Sequence, residues 1–390
     1  MSETSKRKAY DVIIVGAGSM GMSAGYYLAR SGVRTLLIDA FDPPHGEGSH
    51  HGEPRLIRHA YSGGAAYIEL ALRAQRLWEE AEASSGLRLF ERSGVLNMAD
   101  PKVYSLHGRL SDAVRQGVQA EWLNAAEIRH RWPGIELPER FEGLYEPDAG
   151  YLHSESCVTA YRNLALAHGA ELIVNTPVTG ITAREGSVTV HTASGDYAAG
   201  AAILSAGAWF RTLAPFIELP IQAVRKVVGW FETQGGGFDA GRFPGFTLGT
   251  EHGGFYGFPS IQGAGLKIGR HDQGIPWHPG ETPDAFGTYP EDEGDLRSAL
   301  AAVMPQAAGR LLRSAVCKYE LTPDEHFIID RHPEHRHVWI AGGFSGHGFK
   351  FSSVIGEQLA LLAQHLAPTA DLRQFALSRF NPAPSSPAKP

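Results

Sequence analysis

Residues 10–21 read YDVIIVGAGSMG, a short apolar run closed by three glycines. Val12, Ile13, Ile14 and Val15 predict a parallel strand buried on both faces, because an unbroken β-branched run leaves no side for water. Gly16, Gly18 and Gly21 then fit a GxGxxG turn. Its glycines allow a tight bend, close approach of the backbone to a pyrophosphate, and close packing of the next helix on the strand. The spacing predicts a helix over 19–31, stopped at Gly32, with its N-terminal amides facing phosphates. A second strand over 35–38 ends on Asp39, at the offset where an acidic side chain accepts hydrogen bonds from a ribose. Strand, glycines, helix, strand and acid in that order predict a bound adenine dinucleotide.

Outward from this unit, residues 41–61, FDPPHGEGSHHGEPRLIRHAY, are polar and rich in Pro, Gly and His. They predict a loop entering a helix near Pro54, with Arg55 and Arg58 on neighbouring positions of one helical face. That face is either a cationic wall beside a ligand or an ordinary solvated helix start. His50 and His51 precede it without a cysteine or carboxylate at ligand spacing, so no metal site is expected. A helix over 65–85 and another over 152–170 follow, the second holding Cys157 as a small buried side chain. Strands are expected at 171–175, 187–192 and 201–205, and Gly207 after the last of them suits a second backbone approach to a nucleotide.

Two later strands carry chemistry-bearing side chains. In GLKIGRH the period of two puts Lys267, Gly269 and His271 on one face, with Leu266 and Ile268 on the other. In SAVCKYE the same count groups Ala315, Cys317 and Tyr319; by spacing alone, Cys317 reads as either a small hydrophobe or a reactive thiol. A helix lies between them over 295–303. Near the C-terminus a strand over 338–341, glycines at 342, 343, 346 and 348, and a helix from about 353 form a second strand, glycine loop and helix unit. The nucleotide domain is therefore expected to be built from distant segments with the middle of the chain inserted. The tail, NPAPSSPAKP, is expected to be unstructured.

At 390 residues with 43% hydrophobic content, the chain is long enough for two or three lobes. A net charge of -7 without a Lys/Arg block argues against a nucleic-acid partner. The polar N-terminus and the shortness of the first apolar run predict a soluble, cytoplasmic protein without a membrane span. Two cysteines do not make a disulfide framework.

The strings GAGSMGM, DAFDPPHGEGSHHGEPRLIRHAY, GLKIGRH, AVCKYELTPDEHFIID and GFSGHGFKFSS together resemble the monomeric sarcosine oxidase and N-methyltryptophan oxidase family. The likeness runs from about residue 10 to 380. It implies an α/β flavoprotein oxidase in which a Rossmann-like FAD-binding domain is built from residues 8–90, 151–215 and 322–380. An antiparallel-sheet substrate domain would take 91–150 and 216–321, leaving 381–390 as a disordered tail. It further implies a monomer with covalent FAD attached through the sulfur of Cys317 to the 8α carbon, and Gly343 and Gly346 beside the cofactor.

By the same resemblance Lys267 matches the lysine near flavin N5 that activates dioxygen. Arg58 and Lys350 match the pair that grips the substrate carboxylate, and Tyr256 and His271 match polar groups around the amine, with Tyr319 also beside the substrate. His51 and Arg55 match residues against the flavin ring. Thr247, in PGFTLGT, stands where many sarcosine oxidases have a bulkier apolar residue and the tryptophan-type relatives have threonine. The implied reaction is demethylation of a small N-methyl amino acid, sarcosine first, to glycine, formaldehyde and hydrogen peroxide. N-methyl-L-tryptophan is the alternative substrate; a noncovalent FAD or NAD dehydrogenase and a flavin-binding sensor are the alternatives of another class.

Overall fold

The computed structural model describes residues 10–61 and 64–380. The tail expected to be unstructured, 381–390, lies outside them. The chain forms two compact units, one holding the stretches up to His50, Val158–Ala223 and from Tyr319 on, the other His51–Cys157 and Val224–Lys318.

In the first unit the Tyr10–Val15 strand sits between two parallel neighbours, Gly195–Leu204 and Thr35–Ile38, with Ile13 opposite Ala202 and Ile14 opposite Leu37. Ile13 and Ile14 are fully buried, as a run without a polar face requires. Gly195–Leu204 also pairs in parallel with Val338–Gly342, so the C-terminal strand joins the N-terminal one across a single shared neighbour. The helix after each of these strands, Ser19–Arg30 and Ser352–Ala363, packs on the other. Contact is close because position 356 is glycine: a Cβ there would lie 2.2 Å from Ser23 Oγ, which itself donates to the Ser353 carbonyl.

The second unit is a large, mostly antiparallel sheet. Its strands run in the order Ile275–Pro276, Gln222–Phe231, Leu266–Arg270, Gly253–Phe258, Gly245–Thr250, Val95–Ala99, Glu142–Glu146 and Glu121–Asn124, and Leu311–Leu321 also pairs with Gln222–Phe231. One junction, Gly245–Thr250 on Val95–Ala99, is parallel. Period two separates the faces. Phe231, Phe246, Leu248, Phe255, Leu266 and Ile268 join Leu296 and Leu300 of the Glu291–Val303 helix in an apolar core. The opposite face carries Thr247, Tyr256, Lys267 and Trp230.

The helix expected to hold Arg55 and Arg58 is instead a strand, Arg55–Ile57, paired antiparallel with Gly150–Leu152. Ile57 is fully buried, and Gly150 allows the layers to meet, since a Cβ there would lie 1.9 Å from Glu91 O. Extended backbone turns side chains three apart to opposite sides, so the two arginines do not share a face. That pairing also groups residues 51–90 with the second unit, where the sequence reading puts them with the first. Residues 151–157 likewise fall in the second unit and 216–223 in the first.

Candidate active site

In the first unit the glycine turn separates packing from ligand space. A Cβ on Gly21 would lie 1.9 Å from Gly16 O, and one on Gly16 would lie 2.5 Å from Ser205 O, so both positions are closed by the protein. At Gly18 the nearest atom to such a Cβ is His50 Nδ1, 3.9 Å away. Gly18 thus has no packing reason to lack a side chain. It also begins a helix with neither a side-chain cap nor an acid in its first turn, the end that favours an anion. This cradle fits the pyrophosphate of an adenine dinucleotide. Asp39 is largely buried, its Oδ2 accepting from Ala17 N at 2.7 Å and its Oδ1 from Phe41 N at 2.9 Å, so it fixes the turn as well as offering lone pairs.

Three further glycines of this unit have different reasons. Gly207 has space around it, the nearest atom to a Cβ being Glu320 Oε2 at 3.9 Å. Gly343 is filled by Thr322, and Gly346, with φ +74°, faces the Tyr319 ring, whose Cε2 would lie 2.0 Å from a Cβ. Position 346 is bare so that Tyr319 can lie against the loop. Lys350 is buried and donates from Nζ to the His347 carbonyl at 2.8 Å.

In the second unit the sheet face opposite the core gathers the remaining residues. Cross-strand register aligns Asn97, Thr247, Tyr256, Gly269 and Val228 in one row, and Phe258, Lys267 and Trp230 in the next. Gly269 is what lets Tyr256 lie flat, since a Cβ there would meet the ring and hydroxyl at 2.8 Å. Cys317 is buried in a cluster with Val228, Trp230, Tyr256 and Ala315. His271 lies just past its strand, exposed, its amide bonded to Gly254 O.

Lys267 is 1% exposed, and its ammonium donates to the carbonyls of Gly52 at 2.6 Å, Glu53 at 3.2 Å and Pro54 at 3.4 Å. It also stands over the rings of Trp230 and Phe258, about 5 Å from each centroid. Burial and the nearby Arg55 charge push its pKa well down, while Cys317 and Glu53 act in the opposite sense. The three carbonyls also favour the charged form, because an ammonium has three protons to place.

Arg55 donates to the carbonyls of His51, Gly52 and Pro54, so two cations hold one short loop. The loop is tied down again at Glu53, whose carboxylate accepts from the amides of Glu155 and Ser156 at a helix N-terminus. Burial raises the Glu53 pKa, but the His153 ring and these amides outweigh it and hold it low.

Arg58 follows directly, donating to Ala60 O at 3.0 Å and lying 4.6 Å from the Tyr61 ring centroid. Its segment is anchored by Glu146, fully buried, whose Oε2 accepts from His59 N and Ala60 N at 2.7 and 3.0 Å. Glu146 Oε1 accepts from Asn97 Nδ2 at 3.1 Å, and Asn97 Oδ1 accepts from Thr247 Oγ1 at 3.0 Å. One hydrogen-bonded chain therefore joins the Arg58 segment to Thr247. Sequence reasoning missed Glu146, Asn97 and Arg109, a guanidinium beside Arg58. The only local signals were a polar Asn97 in the apolar VLNMA strand and the acid ending EGLYE.

The sequence model of the family described as FAD dependent oxidoreductase matches residues 11–362, and the chain belongs to that family. Within it, the chain is similar to a monomeric sarcosine oxidase of Bacillus sp. (strain NS-129), 48% identical over 95% of this chain and 97% of the relative. It is also similar to an N-methyl-L-tryptophan oxidase of Salmonella arizonae, 42% identical over 95% of this chain and 99% of the relative. Among solved structures, L-proline dehydrogenase from P. horikoshii superposes with a TM-score of 0.84 at 22% identity, covering 96% of this chain and 98% of its own. NikD, an unusual amino acid oxidase essential for nikkomycin biosynthesis, superposes in its open form with a TM-score of 0.82 at 23% identity, covering 95% and 98%. These two likenesses bear on the fold, and they bear out the expected class. No helix among the described residues is long and apolar enough to cross a membrane.

Proposed function

We propose that this chain is a monomeric, FAD-dependent oxidase of small N-methyl amino acids, with sarcosine the first substrate. FAD, when bound, accepts two electrons and a hydrogen from the N-methyl carbon and passes them to dioxygen as hydrogen peroxide. The observation that supports the reading most is the common sheet face of Lys267, Tyr256, Trp230 and Cys317. It sets a sulfur and a buried ammonium within Coulombic range of each other.

The remaining work falls to the chain. The open Gly18 turn takes the pyrophosphate, with Gly16 and Gly21 shaping it, Asp39 toward the ribose, and Gly207, Gly343 and Gly346 in the neighbouring loops. Cys317 is the residue that would hold the flavin covalently, through its sulfur. Lys267 holds a fixed positive charge where superoxide-like charge develops, which is most effective away from water. Arg55 adds positive charge at the same loop, where His51 also lies. Arg58 and Lys350 hold the substrate carboxylate, Arg58 by a planar fork that matches it. Tyr256, His271 and Tyr319 surround the amine, which must lose a proton before its lone pair is available. Water then hydrolyses the released imine to glycine and formaldehyde. N-methyl-L-tryptophan is the second reading, favoured by the small Thr247 side chain, which Asn97 holds back on the sheet.

The test is peroxide release with sarcosine and with N-methyl-L-tryptophan, together with acid precipitation of the wild type and of Cys317→Ser. A higher kcat/KM for sarcosine, and yellow colour that stays with the wild-type chain but leaves the variant, are expected. No peroxide from either substrate would overturn the oxidase reading, and colour retained by Cys317→Ser would remove the attachment role.

A further inference from the structure

Arg109 lies in the short helix His107–Arg115 and stacks over the Tyr104 ring, 4.6 Å from its centroid, while hydrogen-bonding the Tyr104 hydroxyl. Its Nε is buried without a hydrogen-bond partner among the described residues. Tyr104 stands over Gly249, its Cβ 3.6 Å from where a Cβ of that glycine would be. Gly249 is two residues along the strand from Thr247 and on the same face, so the Tyr104–Arg109 pair extends the site face beyond Thr247.

Arg58 is the other cation here. Tyr61, buried and stacked on Tyr67, lies under the Arg58 guanidinium and within Coulombic range of Arg109 as well. Burial, and then the Arg58 charge, draw the Arg109 pKa down to about 10. The groups acting most strongly on Arg109 are Arg58, Tyr104 and Tyr61, none of them a carboxylate. Glu146, whose carboxyl feels the Arg58 charge, has both oxygens committed to His59 N, Ala60 N and Asn97. Two guanidiniums within Coulombic range of each other, one with a buried N–H that meets no acceptor and neither ion-paired among the described residues, form a site that an incoming anion relieves.

With the substrate carboxylate assigned to Arg58, we propose that Arg109 receives a second carboxylate, so that this site takes N-methyl amino acids with an acidic side chain, of the N-methyl-aspartate kind, as well as sarcosine. The inference rests on the oxidase reading above and adds to it a specificity residue. The aromatic rings beside both arginines suit it, because they carry the planar guanidinium without neutralising it.

The test compares kcat/KM for N-methyl-L-aspartate and its neutral isostere N-methyl-L-asparagine, with sarcosine as the reference. It uses the holoenzyme and its Arg109→Gln and Arg109→Lys variants. The wild type is expected to favour the acid over the amide at least tenfold, Arg109→Gln to bring the ratio near one, and Arg109→Lys to restore part of it. A parallel reading that does not depend on turnover is the melting shift of the holoenzyme with succinate against succinamate, which should be larger for succinate and lose that difference in Arg109→Gln. A wild-type ratio near one, or a ratio unchanged in Arg109→Gln, overturns the inference even if sarcosine is oxidised. If neither sarcosine nor any other N-methyl amino acid yields peroxide, the oxidase reading fails instead, and the succinate shift still reports whether the arginine pair binds a dicarboxylate.

Discussion

Lys267 Nζ donates to the Gly52 carbonyl over 2.6 Å, joining positions 215 residues apart. The bond ties the strand that aims Lys267 to the loop that leads into Arg55 and Arg58, so the ammonium is both a charge and a brace. Replacing it with methionine keeps the length and apolar stem and removes both functions. For Lys267→Met we expect reduction of the enzyme by substrate under anaerobic conditions to persist, and reoxidation by oxygen to slow by roughly 10² to 10³, the range for loss of one preorganised charge. Stopped-flow measurement of the two half-reactions checks this, and two unchanged rates would remove Lys267 from oxygen chemistry.

The glycine turn makes a prediction that separates fold from cofactor. A methyl group at Gly18 meets nothing closer than 3.9 Å, whereas one at Gly21 meets Gly16 O at 1.9 Å. Gly18→Ala should therefore leave the melting of the apoprotein nearly unchanged while flavin content falls severalfold, because the methyl occupies the place of the pyrophosphate. Gly21→Ala should lower the melting temperature itself. Absorbance near 450 nm per chain, measured beside calorimetry, distinguishes them; full flavin content in Gly18→Ala would show that the open space at this glycine is not the phosphate seat.

What was legible in the chain was what local chemistry dictates. Val12 to Gly21 could be read because β-branched burial and glycine sterics are properties of the segment itself, and Lys267 could be set opposite Leu266 and Ile268 by period two alone. Arg55 and Arg58 were misread because three-residue spacing suits a helix, while the state of that segment is decided by Gly150–Leu152, far along the chain. The same distant pairing moved residues 51–90 out of the first unit. Glu146 was invisible for a related reason. Two of its partners are the backbone amides of residues 59 and 60, and no side-chain pattern announces a backbone donor. Arg109 acquires its meaning only when Tyr104 comes to rest on Gly249.

Glu146 has a defined pH signature. Burial raises its pKa, but the His59 ring, the Ala60 amide and the Arg58 charge outweigh this and bring it from 4.5 to about 2. A carboxyl lowered on folding stabilises the protein in full above about pH 4.5, and that contribution is lost as pH falls toward 2. The difference corresponds to about 3 kcal/mol at neutral pH. Glu146→Gln should thus be destabilised by about that amount at pH 7, with the gap to wild type closing between pH 4.5 and 2. Urea midpoints across this range provide the measurement, and a gap independent of pH would mean that Glu146 acts by shape alone. Since Glu146 anchors the segment bearing Arg58, the variant should also raise KM for sarcosine more than it lowers kcat.

Glu320 has the opposite sign. It is buried, its Oε1 accepts from the Phe344 amide at 3.4 Å, and its Oε2 has no hydrogen-bond partner among the described residues. Burial pushes its pKa up to about 7, with the Phe344 and Gly343 amides restraining the rise. A carboxyl raised on folding adds stability in full below about pH 4.5, and that stability is lost as pH climbs through 7, about 3 kcal/mol in all. Glutamine keeps the neutral shape and has no proton to lose. Glu320→Gln should therefore match the wild type near pH 4 and exceed it by up to about 3 kcal/mol at pH 8, read from urea midpoints of the apoprotein. A wild-type chain equally stable at both pH values, with no gain from glutamine, would mean that the Glu320 carboxylate ionises inside the fold with a compensating partner.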